Sequence, residues 1–271
     1  MTTPDFVETD DFIDETLDRP LQIVYRDENF VAVFKPAGLI VHRSKSTLTH
    51  EPVLLQTLRD QLHCHVYPVH RLDRPTAGLI LFGLSGAAAA KMVDLFTRLM
   101  VAKYYQALVL GSTPETGLIN MPLAAKSEDA RGTSECVEPS TQDALTEFQT
   151  LARFELPSKC ETSATTSFSL LEIKPMTGRT HQIRRHMTYI GHPVVGDHRH
   201  GDKLCNDLVL AKTGVYRMLL TSMRLDFRHP YTDELHSIVV GRGSEFDFAV
   251  FKMANQIDAM LFGAIHSEPT Y

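Results

Sequence analysis

The stretch VYPVHRLDRPTAG, residues 66–78, sets one carboxylate, Asp73, between Arg71 and Arg74, then stiffens the chain at Pro75 and loosens it at Gly78. A guanidinium beside a carboxylate favours its charged form, so Asp73 is expected to be an anion at neutral pH, suited to nucleophilic attack or charge stabilisation rather than proton donation. If the segment is extended, side chains alternate: Arg71 and Asp73 face one side and Arg74 the other. Arg71 then points at a ligand beside the carboxylate, while Arg74 holds the loop or a phosphate. An Arg-x-Asp-Arg taken alone is more often an ion pair pinning a loop. A second segment changes the balance: TGRTHQIRRH, residues 177–186, carries Arg184 and Arg185 one turn after His181 on a basic helix able to pair an anion presented from elsewhere.

Other chemistries lack their residues. HCHVYPVH and GDHRHGD are rich in histidine but do not supply the paired knuckles of a structural zinc site, and the histidines of HQIRRH are five apart without the glutamate of a zinc helix. No phosphate-binding GxxxxGK[ST] occurs and no GxGxxG follows a strand. GLSGA, residues 83–87, lacks the final glycine of a nucleophile elbow and reads as a helix start capped by Ser85. The expectation is a single-acid site with no metal and no cofactor.

The elements around these motifs follow from periodicity. Two β-rich runs, Leu21 to Tyr25 and Phe30 to Phe34, flank the polar turn of residues 26–29 and predict a hairpin stopped by Pro36 and Gly38. EPVLLQTLRDQL predicts a helix with Pro52 in its first turn. GLILFGL predicts a buried strand and GAAAAKMVDLFTRLM a helix, followed by a strand in AKYYQALVLG. Residues 112–145 read as loop with short strands such as GLINMPL; a flexible loop is expected near AKSEDARGTSECVEPSTQ. ALTEFQTLARF and SFSLLEIKP predict strands, the second with Phe168, Leu170 and Glu172 on one side and Leu171 and Ile173 off it. TGRTHQIRRHMTYIG predicts a helix capped by Thr177 or Thr180 and stopped by Gly191. A strand pair in RLDFRHPYTDELHSIVV and a helix in SEFDFAVFKMANQI close the chain. Hairpins with a few helices, lacking regular βα alternation, indicate an α+β fold with a mixed sheet.

The 271 residues carry a formal charge of -6, which by itself argues against a nucleic-acid partner. The excess sits in residues 1–20, with seven acids and one base, which read as an acidic, flexible leader before a single domain spanning residues 21–271. Between Leu171 and Arg228 ten Lys or Arg outnumber five Asp or Glu, so a basic face is expected there. Cys64, Cys136, Cys160 and Cys205 form no CxxC pair, the amino terminus lacks the regions of a signal peptide, and no run of about 18 apolar residues spans a membrane. A reducing cytoplasm is the expected setting, and no protein partner is implied.

HRLDRPTAG, KYYQALV and TGRTHQIRRH, in this order and spacing and with VFKPAGLIVH before and GHPVVGDHRHG after them, resemble the pseudouridine synthases of the RluA family from about Leu21 to Val240. The resemblance implies the pseudouridine synthase fold, a mixed, largely antiparallel sheet flanked by helices and loops with the site in a central cleft. It places the catalytic aspartate at Asp73, the active-site tyrosine at Tyr105, the arginine that pairs with the aspartate at Arg184, and at Arg71 the arginine that enters the space of a flipped nucleotide. Family members are commonly written with Thr-Ser-Gly after the aspartate; Thr76, Ala77 and Gly78 stand here. Many relatives begin with an S4 RNA-binding domain, for which the residues before the first strand are too few. The doubled arginine, GDHRHG and the short amino terminus are similar to family members that isomerise the uridine at position 65 in the T-stem of tRNA. The implied partner is therefore tRNA, with ribosomal RNA as the alternative substrate and an inactive RNA-binding protein as the alternative of another class.

Overall fold

The computed structural model describes residues 20–43, 51–124, 140–157 and 165–255. The acidic leader, Cys136, Cys160 and most of the loop expected after Ala124 lie outside these residues. In chain order the elements are β1 (Ile23–Arg26), β2 (Phe30–Lys35), α1 (Leu54–Leu62), β3 (Tyr67–Pro68), β4 (Ala77–Gly83), α2 (Gly86–Thr97), β5 (Ala102–Leu110), β6 (Thr116–Asn120), β7 (Leu123–Ala124), β8 (Thr141–Gln142), β9 (Leu145–Pro157), β10 (Thr165–Pro175), α3 (Gln182–Tyr189), α4 (Lys203–Thr213), β11 (Leu220–Arg228), β12 (Leu235–Val239) and α5 (Ser244–Asn255).

Ten strands form one sheet, in the order β1-β2-β4-β11-β5-β10-β9-β6, with β12 on β11 and β3 on β4; β7 and β8 pair separately. The pairing is antiparallel except between β4 and β11, where Thr221 and Ser222 run parallel to Ala77 and Gly78. This is the expected α+β architecture with a mixed, largely antiparallel sheet.

Both faces of the central strands β2 and β4 are covered, which explains their continuous apolar runs, whereas β9 alternates buried and exposed residues. Phe30 and Ala32 of β2 pack on one side with Leu79 and Leu81 of β4, and Val31 and Val33 on the other with Ile80 and Phe82. All seven residues of β4 are buried. Farther along, Leu171 and Ile173 of β10 join the cluster under α3, while Phe168 and Leu170 face the cluster that holds α4 and α5. The alternation expected for this strand is present.

The hairpin, β4, α2 and its Ser85 cap fall where the sequence predicts them; Ser85 accepts from the Ala88 N–H at 3.1 Å. Two caps differ. Pro52 precedes α1, whose N-cap is Val53. Neither Thr177 nor Thr180 caps α3: its N-cap is His181, left-handed at φ 53. Gln182 takes over the work of joining this helix end to its surroundings, because its amide donates to the Leu145 carbonyl and accepts from Thr177 Oγ1 and the Arg179 N–H. Helix α4 is an addition the sequence reading lacks, bracketed by Asp202, which accepts from the Cys205 N–H, and by Gly214 at φ 75.

Candidate active site

Asp73 sits between β3 and β4, in a turn closed by the Thr76 N–H donating to its carbonyl at 3.1 Å. The next residue ties this turn to the segment after β2. The Arg74 carbonyl accepts from the Gly38 N–H at 2.9 Å and from Lys35 Nζ at 3.0 Å, while Arg74 Nε donates to the Gly38 carbonyl and its guanidinium meets Glu51 at 3.3 Å. Arg74 thus holds the loop, one of the two roles its alternation allowed. Gly78 ends the segment at φ 108, and a Cβ there would lie 2.2 Å from the Ser222 carbonyl oxygen, so only glycine permits the parallel contact of β4 with β11.

Lys35 is fully buried, and its ammonium donates to three carbonyls, those of Pro36, Leu39 and Arg74. Burial pushes the amine down to about 7, with Arg217 and Arg74 adding to the effect and Asp73 opposing it. Three acceptors matched to three ammonium donors work toward the charged form. Lys35 therefore fastens the turn that carries Asp73.

From the other side comes α3. Arg184 Nη1 donates to Asp73 Oδ2 at 3.1 Å, while its Nε and Nη2 form a bidentate pair with Asp197 at 2.7 and 2.8 Å. The arginine side chain is only 5% exposed. Burial opposes its charge, but the two carboxylates more than offset that and raise its pKa. Burial likewise raises the Asp197 carboxyl, and the hydrogen bonds and charge of Arg184, with the N–H groups of His200 and Arg199, bring it below its ordinary value. The guanidinium is thus held by one carboxylate and offered to the other.

These groups open onto a cavity of about 490 Å³ lined by Arg71, Asp73, Tyr105, His181 and Arg184. The phenol of Tyr105, on β5, is pushed up to about 12 by burial, with the Ser222 hydroxyl lowering it and the Asp73 charge adding to the rise. His181 Nε2 stands 3.8 Å from Asp73 Oδ2, and its Nδ1 is 2.9 Å from His200 Nε2. Arg71 is exposed at the mouth.

The four residues named from sequence, Arg71, Asp73, Tyr105 and Arg184, line this one cavity. Arg185 does not reach it in the same way and donates to the Ala124 carbonyl. His186 is buried between Thr146 Oγ1 and the Met121 carbonyl, so the two histidines of HQIRRH serve different surroundings. The histidines of HCHVYPVH also part: His63 and His65 are exposed, whereas His70 accepts from the Leu81 N–H and is pushed down to about 3, mainly by burial.

The cations of the basic stretch, residues 171–228, are largely engaged with carboxylates. At least six of its ten cations have carboxylate partners among the described residues: Lys174 with Glu147, Arg184 with Asp73 and Asp197, Lys203 with Asp207, Arg217 with Glu245, Arg224 with Asp226, and Arg228 with Asp233. Sequence reasoning also missed Lys35 and Asp197. A lysine closing an apolar strand immediately before a proline was a usable signal for the first.

A family model described as RNA pseudouridylate synthase matches residues 29–189. The tRNA pseudouridine synthase C of Vibrio vulnificus (strain CMCP6) is 42% identical over 214 residues, 79% of this chain and 87% of that protein. The protein of the same name from Pasteurella multocida (strain Pm70) is 40% identical over 221 residues, covering 82% and 91%. Among solved structures, Human RNA Pseudouridylate Synthase Domain Containing 1 superposes with a TM-score of 0.63 at 27% identity, over 82% of this chain and 83% of that one. A match across the segment that builds the cavity, with this level of identity along most of the chain, places the protein in the RNA pseudouridylate synthase family.

Proposed function

We propose that the protein isomerises a uridine of tRNA to pseudouridine with Asp73 as its catalytic carboxylate, and that the target is the paired uridine at position 65 of the T-stem. The observation that carries this reading is the 3.1 Å bond from buried Arg184 to Asp73 in a cavity shared with Arg71 and Tyr105. The relatives named as tRNA pseudouridine synthases support the choice of RNA.

Isomerisation breaks the bond from ribose C1′ to uracil N1, turns the base, forms the bond from C1′ to C5, releases the C5 proton to restore the ring, and places a proton on the freed N1, so that product and substrate have the same composition. Atoms and electrons balance without water, metal or redox cofactor. A paired base must first leave its stack, at a cost of a few kcal/mol. Arg71, at the mouth, enters the vacated space and meets phosphate. Asp73, oriented by the bond from Arg184, then acts on the glycosyl centre. Tyr105 stacks on the uracil; a phenol pushed up to about 12 stays protonated at neutral pH, which favours stacking over proton removal. One carboxylate suffices because no water has to be activated, in contrast to glycoside hydrolysis. Asp197, the second carboxylate nearby, is occupied by Arg184.

Among the described residues no helix is long and apolar enough to cross a membrane, and the cytoplasm is the compartment that suits a tRNA substrate. The test uses transcripts tritiated at uracil C5, incubated without metal or nucleotide. Tritium release from tRNA with no free uracil supports the reading. Release from ribosomal RNA alone moves the substrate, free uracil indicates a hydrolase, and silence on both leaves RNA binding without catalysis.

A further inference from the structure

Helix α2 ends beside the cavity in a conformation unsuited to the residue that adopts it. Beyond Thr97, the Arg98 N–H donates to the Asp94 carbonyl, the Leu99 N–H to Phe96 and the Met100 N–H to Leu95, at 2.9, 3.1 and 2.9 Å. The last two bonds form the paired helix stop whose central residue is left-handed and normally glycine. Here that residue is Leu99, at φ 57, where a Cβ crowds the following carbonyl. Burial does not offset the strain, because Leu99 is 57% exposed. Its surroundings give the reason for a side chain there: Leu99, Val93, Phe96 and Thr97 line the same cavity as Asp73. Val93 is itself 42% exposed. Backbone strain held at the rim of an active cavity, with an apolar side chain turned toward solvent, marks a contact made only when substrate is present.

We propose that Leu99, backed by Val93, is an apolar wedge that seats against the base stack next to the flipped uridine and keeps the stem open while that base occupies the pocket. The assignment rests on the reading of a paired tRNA uridine as target. Extruding a base leaves an unstacked step, and apolar side chains inserted at such steps hold them apart. Arg71 and Arg179 line the same cavity and offer charge to phosphate; Leu99 adds an exposed apolar side chain that can pack on a base face beside them. The place of Leu99 and Val93 in the lining of the cavity that holds Asp73, with Arg71 and Arg179 in the same lining, favours an RNA strand over a protein as the occupant.

Leu99→Gly separates this role from a structural one, since glycine keeps the helix stop and relieves its strain. The variant is expected to melt no lower than wild type, yet to lose on the order of tenfold in kcat/KM on a transcript with an intact T-stem. On a transcript mismatched opposite the target uridine, where the stem is already open, the deficit shrinks to about threefold or less. Leu99→Met, which restores an apolar side chain, recovers most of the activity on the intact stem. Equal activity of Leu99→Gly and wild type on the intact stem, or equal deficits on both transcripts, would overturn the wedge while leaving the tRNA reading in place. A wild type that converts neither transcript removes the tRNA reading and the wedge together.

Discussion

Arg184 serves two carboxylates at once, and the two bonds do different work. The bidentate pair with Asp197 is buried and fixes the guanidinium, whereas the single bond to Asp73 reaches the cavity. Arg184→Met leaves Asp197 buried without a counter-charge and is expected to cost about 3–5 kcal/mol of stability, measured by urea unfolding. A loss below about 1 kcal/mol would place the anchoring elsewhere. The pH dependence follows from the same pair. The Asp197 carboxyl is lower in the folded protein than in the unfolded chain, so its contribution is complete above the unfolded value and is lost as pH falls through the folded one. Wild-type stability should therefore drop below about pH 4, and Asp197→Asn should show a shallower acid limb. Identical acid limbs in thermal melts would contradict this.

At the scale of elements, the site depends on the junction of β4 with β11. Gly78→Ala drives a Cβ against the Ser222 carbonyl at a positive φ and is expected to cost at least about 2 kcal/mol and to depress kcat, because β4 begins one residue after the Asp73 turn closes. An unchanged melting temperature would show that the strands can part without loss. This junction also marks the limit of what the sequence discloses. The β1–β2 hairpin, β4 and α2 are legible because a polar turn, an unbroken apolar run and Ser85 are local signals. The parallel pairing of Gly78 with Ser222 has no local signal, since a strand's apolar pattern does not identify a distant partner. Helix α4 escaped because its buried face is only Cys205, Val209 and Thr213, too small and too polar to stand out as an apolar stripe, although Asp202 and Gly214 bracket it as caps. Asp73, Tyr105 and Arg184 were legible through motifs, but Asp197 stands 13 residues after Arg184 and meets it only through the turn that follows α3.

For the whole molecule, a chain of formal charge -6 must bind an anion. With several cations of residues 171–228 engaged in ion pairs, Arg71, exposed and lining the cavity of Asp73, is expected to supply a phosphate contact. Deleting residues 1–20, which hold seven acids and one base, is expected to tighten tRNA binding at low salt, with the difference fading as ionic strength rises. Equal affinity at low salt would show that this segment does not compete with RNA. Arg71→Ala should weaken binding and reduce the slope of log K against log salt by about one. The central claim concerns Asp73, and the most direct measurement maps pseudouridine at single-nucleotide resolution in tRNA treated with wild type or Asp73→Asn. One uridine of the T-stem should be converted by the wild type and left intact by a variant of unchanged melting temperature; conversion by Asp73→Asn at a comparable rate would contradict the assignment of the reaction to this carboxylate.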